Sequence, residues 1–443
     1  MYKNIISVTM NILNSMRGAV STADYPFIVL PVLLLQWAEV KNNVEGFDAY
    51  KEIYSPGRLA ATYGLTDGTR QVMEYLLQIE EKQGKVYGGY IREVSSVLEK
   101  VSDKDFSAVL REVFNAKLST FEEISCFAKE FIIYASKRAG RTTSLVLSAS
   151  GVRQIERIAS GRTVEEDTVF DGFAGSGISA ITAASGSGSM TLQEINVKTA
   201  CIAEMLCIIN NCKVRINVKD SLLDWDGEEK YYKVLTEPPF GIRRPELKEK
   251  DLPYYSPDSD IMCIKHALSK ITDNGVAVVL CPAGVLFRGG KTGTDREELI
   301  RLKYIDTVIQ LPQGSCLGTG VSTAILVLRR NKKDDNILFI DASKMLEAED
   351  KEKTDLILNQ QNECILRNII DGRTEVEGLS RLVSIQEIEE HEFSLVINQY
   401  LNKVAVKHEK IDIKPLSKKS GELMHKITNI DKELEHIRGK YIV

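Results

Sequence analysis

The feature that most constrains this chain is an alternation, from about residue 165 onward, of short apolar runs with helix-like stretches. Such alternation is typical of a mostly parallel sheet covered by helices on both faces, because its strands are buried on both sides. We therefore predict an α/β, doubly wound fold. The predicted strands are 168-TVFD-171, 191-TLQEI-195, 214-VRINV-218, 232-YKVLT-236, 275-GVAVVLCP-282, 306-DTVIQLP-312, 323-TAILVLR-329 and, as a further candidate, 337-ILFIDAS-343.

Both flanks of this region have helical periodicity. The run 26-PFIVLPVLLLQWA-38 is interrupted by Pro31 and is shorter than the roughly 20 residues of a membrane-spanning helix, so we predict a buried helix. The division that follows is a helical domain over 1–138, an α/β domain over 139–345 and a helical region over 346–443. The residues that recur at helical spacing before residue 138 include Phe27, Leu30, Leu33, Leu34, Met73, Leu76 and Leu77.

The C-terminal tail, from about residue 403, is predicted to be a helix that binds a partner. Its apolar stripe is spaced by three and four residues, which is typical of an amphipathic or coiled-coil helix. A helix folded back on its own domain fits the pattern equally well. The basic stretch from Lys403 through Lys419 would lie near phosphate or would simply be a solvated face. The stripe consists of Leu423, Ile427, Ile430, Leu434 and Ile437.

Composition constrains the cell compartment more than the function. The net charge of -5 over 443 residues gives no overall attraction to nucleic acid, so such binding must come from local patches or a partner. The eight cysteines form no CxxC pair, and Cys201, Cys263 and Cys281 lie among apolar residues, which favours reduced core thiols. The N-terminus does not follow the pattern of a signal peptide. We predict a cytoplasmic protein with no metal site and no membrane span.

The first chemical motif is 170-FDGFAGSGISA-180, which follows a predicted strand and opens a helix. Gly175 and Gly177 allow the backbone to approach a ligand closely, and Asp171 can accept hydrogen bonds from it. With Glu194 as a ribose acid, the motif matches the dinucleotide fingerprint GxGxxG/A. It equally matches FxGxG, from Phe173 to Gly177, of S-adenosylmethionine (SAM) sites. A glycine-rich turn with only a structural role is a third possibility.

The second motif is 217-NVKDSL-222, which puts Asp220 just after the third predicted strand. An acid at this place is suited to accept a hydrogen bond from the amino group of an adenine. A lone aspartate before a turn is more often a helix N-cap, so Asp220 gains meaning only in combination with the other motifs.

The third motif is 234-VLTEPPFGI-242. Pro238 and Pro239 fix φ and remove two N–H donors, so the turn is rigid and its carbonyls are free to accept. Phe240 offers a flat face on which a base can stack, worth about 1–3 kcal/mol. Glu237 together with the Pro238 carbonyl would hold an amino group while its nitrogen attacks a methyl donor. A base inside a duplex cannot reach such a pocket unless it is flipped out.

These motifs, in this order, resemble the modification (methyltransferase) subunit of type I restriction-modification systems, within the N6-adenine DNA methyltransferases. The turn 171-DGFAGSG-177 is similar to that family's DPACGSG, and 236-TEPPFG-241 stands where the family has ANPPFG. The resemblance covers most of the chain; the other stretches that follow the family pattern are 16-MRGAVSTADYPFIVLPVLLLQW-37, 193-QEIN-196, 219-KDSL-222, 260-DIMCIKHALSKI-271, 278-VVLCPAGVLFRGG-290 and 309-IQLPQGSCLGTGVSTAILVLRRN-331.

The resemblance implies a SAM-dependent methyltransferase (Rossmann-like) fold, SAM as the cofactor, DNA as the substrate and a specificity subunit as a partner, with a restriction or translocase subunit as a possible addition. The residues implied at the cofactor are Asp171, Phe173, Gly175, Ser176, Gly177, Glu194, Asp220 and Ser148. The residues implied in catalysis are Glu237, Pro238, Pro239 and Phe240.

Two departures from the family pattern bear on activity. Glu237 replaces the family's asparagine, so its oxygen would overshoot by roughly one C–C bond, and catalytic geometry tolerates little misplacement. The stretch 145-LVLSASG-151, which supplies Ser148, takes the place of a Tyr/Phe-Thr-Pro segment and has no proline. The main hypothesis is an adenine-N6 DNA methyltransferase subunit, and the alternative is a catalytically impaired SAM- or DNA-binding relative.

Three other interpretations carry less weight. A NAD-dependent enzyme would use the GxGxxA turn but would leave the diproline motif unexplained. The stretch 289-GGKTG-293 looks like a phosphate-binding loop, yet Val285 stands where a Walker A motif needs glycine. His266 is predicted to be a packed or capping residue of a helix rather than a catalytic one.

Overall fold

The computed structural model describes residues 8–12, 20–45, 68–83, 89–139, 147–164, 166–184, 188–223, 229–250, 252–317, 319–348 and 355–401, with single positions between 14 and 18 and at 426. The chain divides into two compact units, Met1–Leu401 and Asn402–Val443. The predicted partner-binding tail lies in the second unit, outside the described residues.

The described residues before 140 are helical, as predicted. After a helical turn over 8–12, the helices are α1 (Pro26–Glu45), α2 (Gly68–Gln83), α3 (Ser95–Leu98), α4 (Asp103–Asn115) and α5 (Phe121–Ala139), with short 3-10 turns at Thr22–Asp24 and Ile91–Val94. Helix α1 is the predicted buried helix. The window Thr22–Lys41 is long and apolar enough to cross a membrane, but 78% of it is buried inside the protein.

The prediction for the second helical stripe was partly wrong. Leu76 is fully buried, but Met73 is only partly buried and Leu77 is 39% exposed. Val72 and Ile79 complete the buried face instead. The buried face of α2 is therefore formed by Val72, Leu76 and Ile79. The sequence pattern identified the helix but only one of these three residues.

From residue 150 onward, helices alternate with strands. The remaining helices are α6 (Ser150–Ala159), α7 (Ile178–Ala184), α8 (Val197–Ile209), α9 (Ser259–Lys270), α10 (Gly290–Arg301), α11 (Gln360–Gly372), α12 (Ile385–Glu390) and α13 (Asn398–Leu401). The strands are β1 (Thr168–Asp171), β2 (Ser189–Glu194), β3 (Val214–Val218), β4 (Tyr231–Thr236), β5 (Ile271–Pro282), β6 (Ile305–Gln310), β7 (Thr323–Leu328), β8 (Ile337–Asp341), β9 (Leu346–Ala348), β10 (Leu356–Leu358) and β11 (Ser380–Val383).

Within the described residues, nine of these strands form one sheet in the order β11-β8-β6-β7-β5-β4-β1-β2-β3. The block β5-β4-β1-β2-β3 is parallel throughout. Strand β7 runs antiparallel to both of its neighbours, and β11 runs antiparallel to β8. The prediction of a mostly parallel α/β sheet is confirmed.

Both faces of the sheet are covered. Alternate residues of a strand point to opposite faces, and in β5 Val278 and Leu280 belong to one apolar core while Ala277 and Val279 belong to another. The first core continues without a break into the N-terminal helices. Strands buried on both faces explain why the sequence showed continuous apolar runs instead of alternation.

Helix α8 connects the helical N-terminal part to the sheet. Its residues are buried from Ala200 to Ile209, and it contacts both α1 and α5. Within it, Glu204 is fully buried and accepts hydrogen bonds from the backbone N–H groups of Gly89 (2.9 Å) and Tyr90 (2.7 Å). A buried carboxylate needs such partners, so this contact fixes how the N-terminal segment joins the sheet.

The region after residue 345 is not purely helical, which corrects the prediction. Strands β9 and β10 pair with each other, and β11 extends the main sheet beyond β8. These strands are only three or four residues long, and the apolar runs in their sequences, such as 356-LIL-358, are too short to reveal a strand. The division at residues 138 and 345 stays a prediction.

Candidate functional site

The candidate site lies where the strand order of the parallel block reverses. The chain proceeds from β1 to β2 and β3 on one side and then crosses to β4 and β5 on the other. In open α/β sheets, ligands bind outside the carboxyl ends of the strands at such a switch point. The predicted site residues other than Ser148 lie at or just after the carboxyl ends of strands here: Asp171 to Gly177 at the end of β1, Glu194 at the end of β2, Asp220 after β3 and Glu237 to Phe240 after β4.

The glycine turn after β1 packs tightly against β2. Gly175 and Gly177 have φ of +53° and +76°. A Cβ atom on Gly177 would lie 3.0 Å from Cδ1 of Leu192, so a larger residue would have to push the turn away from the strand. Ser176 is fully buried, and its hydroxyl has no hydrogen-bond partner among the described residues.

Glu194 holds the same turn in place. One of its carboxylate oxygens accepts from the backbone N–H of Gly175 at 3.0 Å, and the other accepts from Asn196 at 2.9 Å. Burial raises the pKa of Glu194, and these backbone N–H groups act in the opposite direction. A carboxylate has about four acceptor sites, so Glu194 can still accept from the hydroxyls of a ribose.

Asp171 is buried at the end of β1. Its Oδ1 accepts from the backbone N–H of Phe173 at 3.0 Å. Burial raises the pKa of Asp171 to about 8, with the Phe173 N–H lowering it and the charge of Glu237 raising it further. The ring of Phe173 packs edge-on to His266, with 6.2 Å between ring centroids.

Asp220 is paired with an arginine that the sequence analysis did not identify. Its Oδ2 accepts from a guanidinium N–H of Arg244 at 2.6 Å, and its Oδ1 accepts from the backbone N–H of Leu222 at 3.0 Å. The predicted contact of Asp220 with an adenine amino group stays a prediction. Arg244 is not detectable by motif, because it lies 24 residues away and approaches only in the fold.

Two exposed apolar side chains beside these acids were also missed. Ile195 follows Glu194 and is 64% exposed, and Leu223 lies in the turn after Asp220 and is 42% exposed. The end of β2 is joined to the start of that turn by the backbone hydrogen bond from Lys219 to Glu194 at 3.1 Å. Large apolar side chains at a ligand crevice are suited to cover a planar ring. A search for polar motifs overlooks them.

The diproline turn lies beside the glycine turn, because β4 pairs with β1 in parallel register. Pro238 is buried, Pro239 is exposed and Phe240 is half-buried against the main core. Gly241 has a φ of +61°, and its N–H donates to Oδ1 of Asp260 at 2.8 Å. The turn is therefore rigid at both ends, and part of the Phe240 ring remains open to solvent.

The carboxylate of Glu237 is held by several donors. Ser148 donates to it twice, from its backbone N–H at 3.0 Å and from its hydroxyl at 2.6 Å. The hydroxyl of Ser179, in helix α7 just after the glycine turn, donates to the same oxygen as the Ser148 hydroxyl. The predicted catalytic turn and the predicted cofactor turn thus meet through one side chain.

A second glutamate contacts Glu237 from helix α6. Glu156 is buried, and its pKa is well above the ordinary value because of burial, the charge of Glu237 and a hydrogen bond to the Glu237 carboxylate, with Arg153 acting in the opposite direction. Burial and the charge of Glu237 therefore favour the protonated form of Glu156. In sequence, Glu156 is one of several charged residues on a helix, so nothing there distinguishes it.

The two residues that were set aside in the sequence analysis have structural roles. His266 is buried beside Tyr254, with 5.0 Å between ring centroids, and burial lowers its pKa to about 3. Lys291, from the apparent phosphate loop, forms an ion pair with Asp295 at 2.8 Å.

The chemistry of the crevice favours a cationic ligand over a pyrophosphate. Glu194 and Glu237 lie at the glycine turn, and the N–H of Gly175 already donates to Glu194. Asp171 adds little negative charge at neutral pH, because burial raises its pKa to about 8. A pyrophosphate would face these carboxylates without that donor, whereas a sulfonium cation would be attracted by them. The doubly wound sheet and this crevice define a SAM-dependent methyltransferase fold.

Comparison with known proteins places the chain more narrowly. Residues 155–409, more than half of the chain, match the family "N-6 DNA Methylase", and the chain belongs to that family. The methylase subunit of the type I restriction enzyme MpnII of Mycoplasma pneumoniae is 28% identical over 74% of this chain and 67% of the relative. The corresponding MjaVII subunit of Methanocaldococcus jannaschii is 28% identical over 34% of this chain and 28% of the relative.

A solved structure shares the fold. The type I restriction-modification methyltransferase subunit of Streptococcus thermophilus superposes with a TM-score of 0.74 at 21% identity, covering 90% of this chain and all of the other. The resemblance inferred from the sequence motifs is confirmed by these findings.

Proposed function

We propose that this chain is the methylating subunit of a type I restriction-modification-like system and transfers a methyl group from SAM to N6 of a flipped adenine in DNA. The observation that supports this most directly is that the glycine turn and the diproline turn follow adjacent parallel strands and meet at Glu237. Membership in the N-6 DNA methylase family supports the same reaction.

In this proposal the cofactor lies along the ends of β1, β2 and β3. Glu194 accepts from the ribose hydroxyls, Asp220 accepts from the adenine amino group, and Ile195 and Leu223 cover the adenine ring. SAM supplies an electrophilic methyl group next to a sulfonium. Glu194 and Glu237 attract that positive charge.

The target base lies on the diproline turn. The ring of Phe240 stacks on the adenine, and the Pro238 carbonyl and Glu237 accept from its amino group. The lone pair of N6 attacks the methyl carbon, the bond between carbon and sulfur breaks, and N6 then loses a proton. No covalent bond to the protein is needed, so the role of these residues is to position the reacting nitrogen.

Methyl incorporation by the complete complex tests the function. The chain is purified with its specificity subunit and given labelled SAM and DNA from a host that lacks adenine methylation. We expect N6-methyladenine at a defined sequence. If SAM binds but the complex methylates none of the host DNA, the proposal is wrong.

A catalytically impaired relative is the second candidate, and the contacts of Glu237 favour it. Two donations from Ser148 and one from Ser179 occupy three of the roughly four acceptor sites of the carboxylate, and the buried carboxyl group of Glu156 lies beside it. In that arrangement Glu237 has at most one site left for the amino group of a base. Rotation of either serine hydroxyl would free another.

Replacement of Glu237 by asparagine separates the two candidates. If Glu237 is the acceptor, we expect Glu237→Asn to lower the methylation rate about 2- to 30-fold, because a neutral hydrogen bond worth about 1 kcal/mol replaces a charge-assisted one worth about 1.5–3 kcal/mol. Initial rates at saturating SAM measure this effect. A higher rate in the variant, or activity only in the variant, would instead establish the natural protein as impaired.

The partner contact is proposed to use the C-terminal tail. No separate base-reading module is evident in the sequence, so specificity would be supplied by another subunit. We expect that deletion of residues 403–443 abolishes co-purification with the specificity subunit while SAM binding persists. Unchanged co-purification would refute this assignment. A cytoplasmic location follows from the proposed substrate.

A further inference from the structure

A large aromatic side chain is exposed on the loop that follows β5. Phe287 is 58% exposed, although Val285 and Leu286 immediately before it are buried. The loop leaves β5 through the 3-10 turn Ala283–Leu286 and enters α10 at Gly290. Removal of apolar surface from water is favourable. A solvent-exposed phenylalanine on an anchored loop therefore indicates a contact surface.

The loop lies beside the diproline turn. Strand β5 pairs with β4 in parallel register, with Thr236 opposite Val279. The carboxyl ends of the two strands therefore share one edge of the sheet, and each is followed by a turn that carries a partly or largely exposed phenylalanine.

An ion-pair relay connects these two turns. Arg288 donates to Asp260 at 3.0 Å and to Asp258 at 3.1 Å. Asp260 uses its other oxygen to accept from the N–H of Gly241 at 2.8 Å. The residue after Phe287 and the residue after Phe240 are thus joined through one buried carboxylate, which fixes the backbone of one turn relative to the other.

The loop is also held from beneath. The buried guanidinium of Arg296 donates to the carbonyls of Val285 at 2.9 Å and Arg288 at 2.8 Å. The N–H of Arg288 donates to the carbonyl of Gly284 at 2.8 Å. The loop therefore holds the Phe287 ring on a rigid support, which lowers the entropy lost when the ring enters a binding partner.

The surroundings suit the backbone of a nucleic acid. Gly289 and Gly290 follow Arg288 without side chains, and neither would have an atom within 4 Å of an added Cβ. The side chains of Arg288 and Lys291 on either side are 41% and 53% exposed, and both are ion-paired, Arg288 with Asp258 and Asp260 and Lys291 with Asp295. A phosphate can approach the backbone closely where side chains are absent and can accept from the N–H groups of these exposed side chains that still face solvent.

We propose that Phe287 inserts into the base stack of DNA and fills the space that the flipped adenine leaves. This inference rests on the proposed function, because it assigns to the same DNA-binding site a second aromatic residue, Phe287, beside Phe240. Phe240 contacts the extruded base, while Phe287 contacts the bases that remain in the duplex. Apolar side chains that enter a base step in this way unstack it.

The experiment uses the complete complex and a DNA site selected by its own binding. 2-Aminopurine replaces each adenine of the site in turn, since its fluorescence rises when the base leaves the stack. We expect Phe287→Ala to lower the fluorescence rise and the methylation rate about tenfold or more, with SAM affinity unchanged. Phe287→Leu should retain most of the signal, because leucine also inserts between bases.

A second DNA distinguishes insertion from other roles. A mismatch opposite the target base reduces the cost of flipping. The mismatch should therefore restore the methylation rate of Phe287→Ala but not that of Phe240→Ala. Phe114, on α4, is 48% exposed, so Phe114→Ala is the matched control. This variant should behave as the natural protein does.

Two outcomes would overturn the inference. Equal fluorescence in Phe287→Ala and the natural complex shows that the ring does not unstack DNA. A defect that the mismatch does not restore, or loss of the specificity subunit, assigns Phe287 to another contact. Flipping without methylation would contradict the proposed function while leaving the role of Phe287 intact.

Discussion

Replacing Phe240 with alanine is expected to lower methyl transfer to DNA about 5- to 150-fold while the affinity for SAM stays unchanged. Stacking of a base on an aromatic side chain is worth about 1–3 kcal/mol, and each 1.36 kcal/mol corresponds to about tenfold in rate. The ring of Phe240 follows β4, whereas the cofactor is proposed to lie along the ends of β1, β2 and β3. Initial rates with saturating SAM, together with calorimetric titration of SAM, measure the two effects separately.

Phe240→Tyr is the matched control, because it keeps the ring and should retain most of the activity. An unchanged rate in Phe240→Ala would show that the ring does not contact the base. A parallel fall in SAM affinity would place the ring at the cofactor instead.

Replacing Gly177 with valine is expected to weaken SAM binding at least about tenfold. A β-branched residue is strongly disfavoured at a φ of +76°, and the left-handed conformation alone costs about 1–2 kcal/mol. The added Cβ would also lie 3.0 Å from Cδ1 of Leu192, so the turn must move away from β2. Calorimetric titration with SAM measures the loss.

Gly378→Val separates loss of the turn from a general effect on stability. Gly378 has a φ of +68°, and a Cβ there would meet no atom within 4 Å. This variant should therefore lose stability through its backbone but bind SAM as the natural protein does. If Gly177→Val binds SAM with unchanged affinity, the turn after β1 is not the cofactor site.

The sequence predicted the strands well where they are buried on both faces. Each of the eight predicted runs corresponds to an observed strand, with shifts of a few residues at the ends, such as β2 at Ser189–Glu194 instead of 191–195. Continuous apolar runs are a strong signal because polar residues at such positions would be costly. Strand β11 gave no such signal, since it lies at the edge of the sheet and two of its four residues are partly exposed.

The direction of β7 could not be predicted from the strand pattern. Its six residues are all buried, as they would be in a parallel strand. The antiparallel course instead follows from the connection between β6 and β7, whose described residues, 311–317 and 319–322, form no helix. Apolar periodicity identifies a strand but does not determine its direction.

The candidate site was predictable at its strand ends but not in its contacts. Motif spacing located Asp171, Glu194 and Glu237, because loops after parallel strands meet at one edge. The partners of Glu237 come from distant parts of the chain: Ser148 is 89 residues away and Ser179 is 58. Only the fold brings those residues together. The sequence therefore identified Glu237 as a departure from the family pattern but did not identify the residues that contact it.

The most direct test of the account is a structure of the complete complex bound to DNA and to sinefungin, a SAM analogue with an amine in place of the transferable methyl group. The account predicts that the analogue lies along the turn after β1, that the target adenine stacks on Phe240, and that the amine of the analogue is within about 3–3.5 Å of N6. An analogue bound elsewhere, or an adenine kept from the turn by the Glu237 side chain, would contradict it.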